Sequence, residues 1–433
     1  MKTNTKPSPI REGKPVDRLR RLVSACLLWE DGFSSDGQSI ADEITKTAHE
    51  CSVQNVCFVA REARSEHHLR HAPLHLTVAA LTHPKRCGDD SSTIADAIYS
   101  VVQRADELAE LVAMWWKPGR RPLPACMKRG LRDAFQKFNA YSLAKYNRDA
   151  AVKLRDVLFL VHPTPVDVEM EETWRALAAG TLESPDTWEV ALSRGDDKKA
   201  TFERLIREGS LGYLALLRNL RGMVEAGVDE SLIREAVLAR SGASRVLPFR
   251  YVAAARACPR LEPAIDIALQ ESIDGMSALP GKTIVLVDVS GSMDVPLSAK
   301  SDLTRMDAAA ALAAIIPAEE LRVFSFSNGV VECPPRRGMS GVDAVVGSQH
   351  HGGTALFDAI DEINRIEHDR LIVITDEQDT GRSRQCPAPT ARHAYIINVA
   401  SEKRGIWRGG WTRIEGFSEG VIRYIEACEK EEL

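Results

Sequence analysis

No apolar run in the 433-residue chain approaches the roughly 18 to 20 residues that a membrane helix needs. There is no Cys-x-x-Cys pair either, and the nine cysteines (26, 51, 57, 87, 126, 258, 333, 386 and 428) are scattered and odd in number. These absences argue against a spanning helix, a complete disulfide framework and a zinc ribbon, and they point to reduced thiols that pack as small core residues. The polar start MKTNTKPSPIREGKPVD lacks the apolar centre of a secretory signal, so a soluble, cytoplasmic protein is expected. Aromatic residues are few, at 6%. The 44% apolar and 27% charged content is nevertheless that of a globular protein, which excludes wholesale disorder. Neither sign of charge dominates: 56 Lys and Arg face 61 Asp and Glu, for a net charge of −5, so the molecule as a whole does not advertise nucleic-acid binding. Its length exceeds what one hydrophobic core usually organises, and two or three domains are expected.

Charge is unevenly distributed. Between Lys117 and Arg155 there are eleven Lys or Arg against two acids, Asp133 and Asp149. That segment builds a basic surface into an acidic protein. Leu131, Phe135 and Phe138 fall at i, i+4 and i+7 and predict a buried stripe, with Lys128, Arg129 and Arg132 on an adjoining arc of about 100°. Lys145, Arg148, Lys153 and Arg155 flank turns, where a phosphate can approach from outside. Such a face suits phosphate contacts; a merely solvated helix face is the competing reading.

The first seventeen residues read as a flexible segment. From 18 to about 275 the chain alternates helical patterns with short breaks and has almost no β-branched runs of strand length. The spacing predicts helices over Gln38–Cys51, Ser92–Trp116, Pro124–Asn139, Lys199–Glu208, Leu211–Glu225, Glu230–Arg240 and Pro248–Ala257. Short connections imply stacked antiparallel pairs, a HEAT-like α-solenoid without a clean period. Trp115 and Trp116 end an apolar helix and read as core. His67, His68, His71 and His75 include metal-compatible spacings, but Pro73 interrupts them, so they read as the surface of a helix start.

Near residue 276 the grammar changes. Thr283–Val287 reads as a buried strand, followed by a helix over Met306–Ile316, strands at Leu321–Ser325 and Val330–Cys333, a helix over Ala355–Ile366, strands at Leu371–Thr375 and Ala394–Val399, and a last helix to about Lys430. Strands alternating with crossover helices predict a Rossmann-like α/β domain over 276–433, with its ligand at the carboxyl ends of the strands. Oxygen donors stand at three such positions: Asp288, Ser290 and Ser292 in DVSGS, Thr354 in HHGGT, and Asp376 after the strand at 371–375. Two carboxylates and three hydroxyls, without His or Cys, describe a site for a hard divalent cation, above all Mg2+.

DVSGS, GGT and the strand-end Asp376, in this order on this fold, make 283–430 resemble a von Willebrand factor A domain with a metal-ion-dependent adhesion site. The resemblance implies that Ser290, Ser292 and Thr354 hold the ion directly or through water. Asp288 and Asp376 would act chiefly through waters, and an acidic partner would complete the shell. Domains of this kind do not turn over substrates, and Ser290 and Ser292 lie in no nucleophile motif, so no catalysis is expected.

The helical half has its own resemblance. Its GLR-x-A start at Gly130, SLAKY at 142–146, the LRD run ending in His162-Pro163-x-Pro165, ALLRNLRGM at 215–223 and LPFRYVAAARA at 247–257 resemble the TROVE module of Ro ribonucleoproteins. The match is weak between Pro165 and Arg204. A TROVE module at 18–275 followed by a von Willebrand A domain is the Ro architecture. It implies a ring of helical repeats that binds small noncoding Y RNAs on an outer basic surface and single-stranded 3′ ends of misfolded RNAs through a central hole. In this chain Lys145, Arg148, Lys153, Arg155 and His162 fall in the motif that includes Y RNA contacts, and Lys128, Arg129 and Arg132 lie near it. A monomeric scaffold in RNA quality control, working with an exonuclease, is the expected function. A protein-interaction scaffold that docks an acidic partner without RNA, and a metal-dependent hydrolase, are the alternatives.

Overall fold

The computed structural model describes residues 15–25, 35–119, 121–296, 303–376, 379, 385–399, 410–415 and 420–430. Residues 1–14, most of the segment expected to be flexible, lie outside the described residues, and the first helix begins at Pro15. The chain divides into two compact units, Met1–Pro185 with Lys430–Leu433, and Asp186–Glu429. No helix among the described residues is long and apolar enough to cross a membrane.

The first unit is built of α1 Pro15–Ala25, α2 Ser35–Glu50, α3 Val53–Ser65, α4 His71–Leu81, α5 Asp90–Val101, α6 Ala105–Trp116, α7 Ala125–Phe135, α8 Ala140–Tyr146, α9 Leu154–Val161 and α10 Val168–Ala179. Helices α3 and α4, α5 and α7, and α6 and α9 pack pairwise over one continuous core that runs from Leu19 to Leu177. Helix starts follow local chemistry: Ser52, Asn139 and Asp167 each accept a backbone N–H of the first turn.

The single helix expected over Ser92–Trp116 is two helices. Between them Val102 and Arg104 are extended. The buried Glu107 carboxylate accepts the N–H groups of Gln103 (2.8 Å) and Arg104 (3.0 Å) and takes both oxygens to Arg64 Nη2 of α3, at 2.7 and 2.9 Å. One fully buried acid thus ends α5, starts α6 and binds α3. An apolar periodicity that continues through the break cannot reveal this, because the partner that makes the break favourable comes from a distant helix.

The second unit opens with α11 Trp188–Arg194, α12 Lys198–Arg207, α13 Tyr213–Glu225, α14 Glu230–Ala239, α15 Pro248–Ala257 and α16 Glu262–Asp274. It continues with β1 Leu279–Asp288, α17 Arg305–Ile315, β2 Ala318–Phe326, β3 Val330–Glu332, α18 Gly338–Val346, α19 Leu356–Ile363, β4 Arg370–Thr375, β5 His393–Asn398, β6 Thr412–Glu415 and α20 Gly420–Lys430. The strands form one sheet in the order β3-β2-β1-β4-β5-β6, parallel except for β3. Strand β4 is buried along its whole length and β1 from Thr283 onward, as parallel strands covered on both faces must be.

The change of grammar near 276 does not coincide with the division into compact units, because α15 and α16 pack on α17 and α18. Arg256 of α15 reaches Asp307 (3.2 Å) and Asp343 (2.6 Å), and Asp266 of α16 accepts the Met339 N–H at 2.7 Å. Gly338, with φ of +63°, leaves no room for a β-carbon beside Asp266. A Cβ on Gly341 would come within 2.4 Å of the Arg336 carbonyl. Two glycines obscured α18 as a helix in the sequence, although close packing requires them.

Glu107→Ala leaves the Arg64 guanidinium buried without its partner, and a loss of about 3 to 5 kcal/mol in unfolding free energy is expected, measured by urea denaturation. A loss below about 1 kcal/mol would show that Glu107 does not organise the unit.

Candidate metal centre and nucleic-acid interface

Strands β1 and β4 pair in register, Val287 with Ile374, which sets Asp288 beside Thr375 at the carboxyl edge of the sheet. Asp288 is fully buried. Its Oδ2 accepts the Thr375 hydroxyl at 2.7 Å and its Oδ1 accepts the Ser290 N–H at 2.9 Å. The chain then makes one 3-10 turn over Gly291–Met293, with Ser290 Oγ and Ser292 Oγ 3.1 Å apart. Asp376 follows β4 and is buried, as is Thr354.

The loop carrying Thr354 is stitched to the first loop by Gly291 N–H donating to the Gly352 carbonyl at 3.1 Å. From its other side it is braced by Ser327 and Asn328, just past β2. Ser327 Oγ accepts the Gly352 N–H (2.8 Å) and donates to the Gly353 carbonyl (3.1 Å), and Asn328 Oδ1 accepts the Gly353 N–H at 2.9 Å. A Cβ on Gly352 would fall 2.3 Å from Asn328 Nδ2, so this glycine is required by close approach. Sequence reasoning missed Ser327 and Asn328. The available signal was a small polar pair directly after a strand, at the same sheet edge as the other donors.

Burial pushes the Asp288 carboxyl up to about 6, the negative charge of Asp376 pushes the same way, and the bonds from Ser290 and Thr375 pull against them. Two buried acids that disfavour each other's charge are a place where a divalent cation relieves the repulsion. Among the described residues no three His, Cys, Asp or Glu side chains gather as a metal cluster, so any ion here relies on hydroxyl oxygens and water beside the two carboxylates. The all-oxygen donor set of Asp288, Ser290, Ser292, Thr354 and Asp376 fits a hard cation of the Mg2+ kind.

In the first unit Leu131, Phe135 and Phe138 are buried, as their spacing predicts. Helix α7 lies hard against α5, since a Cβ on Gly130 would stand 2.7 Å from the Ala95 carbonyl. On the other side of α7, Arg129 and Arg132 are exposed and Lys128 is half-buried. Arg132 Nε donates to the Val161 carbonyl at 3.1 Å and Gln136 Nε2 to Thr164 at 2.9 Å, which ties α7 to the end of α9. There His162 is exposed and takes the left-handed conformation (φ 47°), its N–H closing α9 on Leu158.

Lys145, Arg148 and Arg155 are exposed. Lys145 Nζ stands 5.7 Å from the centre of the Tyr141 ring and 5.9 Å from that of Tyr146, over which Arg104 also lies at 4.6 Å. Lys153 pairs with Asp149 at 2.6 Å, and its own N–H is capped by Asp156. The structure therefore ties Arg132 to the Val161 carbonyl, one residue before His162. It leaves Arg129, Lys145, Arg148 and Arg155 exposed, and it engages Lys153 within the fold. Trp115 is core, with its indole N–H on the Pro122 carbonyl.

The family model of the TROVE domain matches residues 169–272. That span contains the ALLRNLRGM and LPFRYVAAARA stretches and the segment up to Arg204 where the resemblance was weak; the motifs at 130–165 precede it. The chain is 35% identical over 98 residues to telomerase protein component 1 of Mus musculus and 32% identical over 97 residues to that of Rattus norvegicus. Each alignment covers 21% of this chain, which spans 4% of those relatives' length. The crystal structure of the Deinococcus radiodurans Ro (RSR) protein superposes with a TM-score of 0.70 at 16% identity, covering 96% of this chain and 100% of the other. The architecture is thus that of Ro proteins: helical repeats followed by a von Willebrand A-like α/β domain. Residues 169–272 match the TROVE domain, and the chain has the fold of that Ro structure.

Saturating Mg2+ should raise the melting temperature through binding to the folded state, with about 2.7 kcal/mol expected at 100 times Kd. Asp288→Asn keeps the shape and should abolish the rise. An equal rise in both proteins would remove Asp288 from the site.

Proposed function

We propose that this protein is a non-catalytic RNA-binding scaffold whose basic face on α7 to α9 grips the phosphates of a small noncoding RNA of the Y type. The observation that carries this reading is the exposure of Arg129, Arg132, Lys145, Arg148, Arg155 and His162 along α7 to α9 and the turns that follow α8 and α9, in a chain whose residues 169–272 match the TROVE domain and whose net charge is −5. Side chains of this kind contribute affinity that falls with salt and carries little sequence preference. The fold shared with a Ro protein supports the same reading. The scaffold also takes the single-stranded 3′ ends of misfolded RNA, acts as a monomer in the cytoplasm, and serves RNA quality control beside an exonuclease.

The strand-end cluster has a separate role in this proposal. Asp288, Ser290, Ser292, Thr354 and Asp376 hold Mg2+, directly or through waters, and a carboxylate of an acidic partner protein completes the shell. The ion supplies positive charge for docking. Asp288 orients the loop through the Ser290 N–H, and the two serine hydroxyls bond to each other. That arrangement favours binding over nucleophilic turnover.

Titration with a structured RNA carrying a single-stranded 3′ tail, its blunt counterpart and duplex DNA, at two salt concentrations, tests the reading. Tight, salt-sensitive binding that favours the tailed RNA is expected. Lys145→Ala with Arg148→Ala should weaken RNA binding at low salt and reduce the salt slope by about 2. Absence of RNA binding at low salt would leave docking of an acidic protein at the metal site as the function.

A further inference from the structure

Helix α9 carries an exposed phenylalanine in the middle of the basic segment. Phe159 is 58% exposed, and a lone exposed apolar side chain would ordinarily need no explanation. Its neighbours give this one a chemical setting. Arg155 and Phe159 are four residues apart, which sets them side by side on one helix face, and His162 follows in the left-handed turn just past the helix end. All three are exposed. Arg132 reaches the same end of α9 through its bond to Val161, 3.1 Å long. A bare aromatic ring is thus bracketed along the helix by a guanidinium on one side and by an imidazole with a second guanidinium on the other.

Two other exposed rings of this unit differ from it. Tyr99 lies under Lys137 Nζ, at 4.4 Å from its centre, and Tyr141 lies near Lys145 Nζ. Phe159 has neither a ring nor a cation against it among the described residues. It also lacks the hydroxyl that would make exposure inexpensive. A nucleobase fits this setting, because its flat face covers the ring while the phosphates on either side of it meet Arg155 and the cations at the end of α9, Arg132 and His162.

We propose that Phe159 stacks an unpaired base of the bound RNA, making this part of α9 a single-strand subsite within the basic face. The inference rests on the RNA-binding reading above and adds to it a preference that phosphate contacts alone do not provide. A base inside a duplex is already stacked on both faces, so Phe159 distinguishes unpaired from paired RNA. A docked apolar protein segment would use the ring without needing the cations, whereas a strand of RNA uses both.

The test uses the full chain, an unstructured RNA oligonucleotide carrying 2-aminopurine, and a blunt RNA duplex. Phe159→Ala and Phe159→Leu should each weaken binding of the unstructured RNA by about 10-fold and restore the 2-aminopurine fluorescence that stacking quenches. Binding of the duplex should be unchanged, and so should the salt slope, because no charge is lost. Phe159→Trp should retain affinity and quenching. Val168→Ala, which alters an exposed apolar residue beside Glu169, should behave as wild type. If wild type binds RNA and Phe159→Ala binds the unstructured RNA equally well, or loses duplex binding to the same extent, the stacking inference is overturned while the RNA-binding reading stands. If wild type binds neither RNA, the proposed function fails and the inference fails with it.

Discussion

The buried carboxylate of Glu107 is the interaction on which the first unit depends. An acid with no exposure to water is tolerable only if its charge and lone pairs are met inside the protein, and here Arg64 and two backbone N–H groups meet them, with the Arg70 guanidinium 3.7 Å away. The requirement shapes the chain. It turns the backbone extended between two helices and ties α3 to α6. The basic face on α7 to α9 is presented by helices packed against this arrangement, α7 on α5 and α9 on α6.

In the second unit the two ends of the sheet treat buried charge differently. At the amino end of β4, Arg370 is almost wholly buried, and its guanidinium is met by Glu429, the Thr283 hydroxyl and the Pro280 carbonyl. That end is a closed structural clamp joining α20 to the sheet. At the carboxyl end Asp288 is held by neutral donors, a hydroxyl and an N–H, and it lies within range of the charge on Asp376. A protein that met both charges from within would have nothing to offer a ligand. The amino edge thus closes its buried charge within the fold, whereas the carboxyl edge leaves Asp288, among the described residues, with neutral donors only.

The comparisons and the geometry stress different parts of the helical half. The TROVE family match covers 169–272, in which α15 and α16 pack against the α/β domain through Arg256 and Asp266. The cations of the proposed RNA-contact face lie before that span. Family likeness is therefore carried most strongly by helices that join the compact second unit. The proposed RNA-contact residues are set in the first unit, where Arg132 and Lys153 have structural partners and Arg129, Lys145, Arg148 and Arg155 face solvent.

Much of the architecture was legible in local pattern. Helical periodicity over 18–275, buried strand runs at 283–287 and 371–375, and DVSGS at a strand end report on nearest neighbours along the chain, and each element was found where its pattern put it, within a few residues. The break at 102–104 was not legible, because the Arg64 that stabilises it is 43 residues from Glu107. Nor was α18, whose glycines weaken a helix in isolation and are required only by the contacts of Gly338 with Asp266 and Gly341 with Arg336. Ser327 and Asn328 became meaningful only when β2 brought them to the HHGGT loop. The sequence by itself determined the helical and α/β halves, the oxygen donors and the concentration of positive charge, since all of these are written in residue type and short spacing. Tertiary structure alone decided where the helices break, which loops brace the oxygen cluster, which cations remain exposed, and that Phe159 lies bare among them, because burial and long-range hydrogen bonding exist only after the chain has folded.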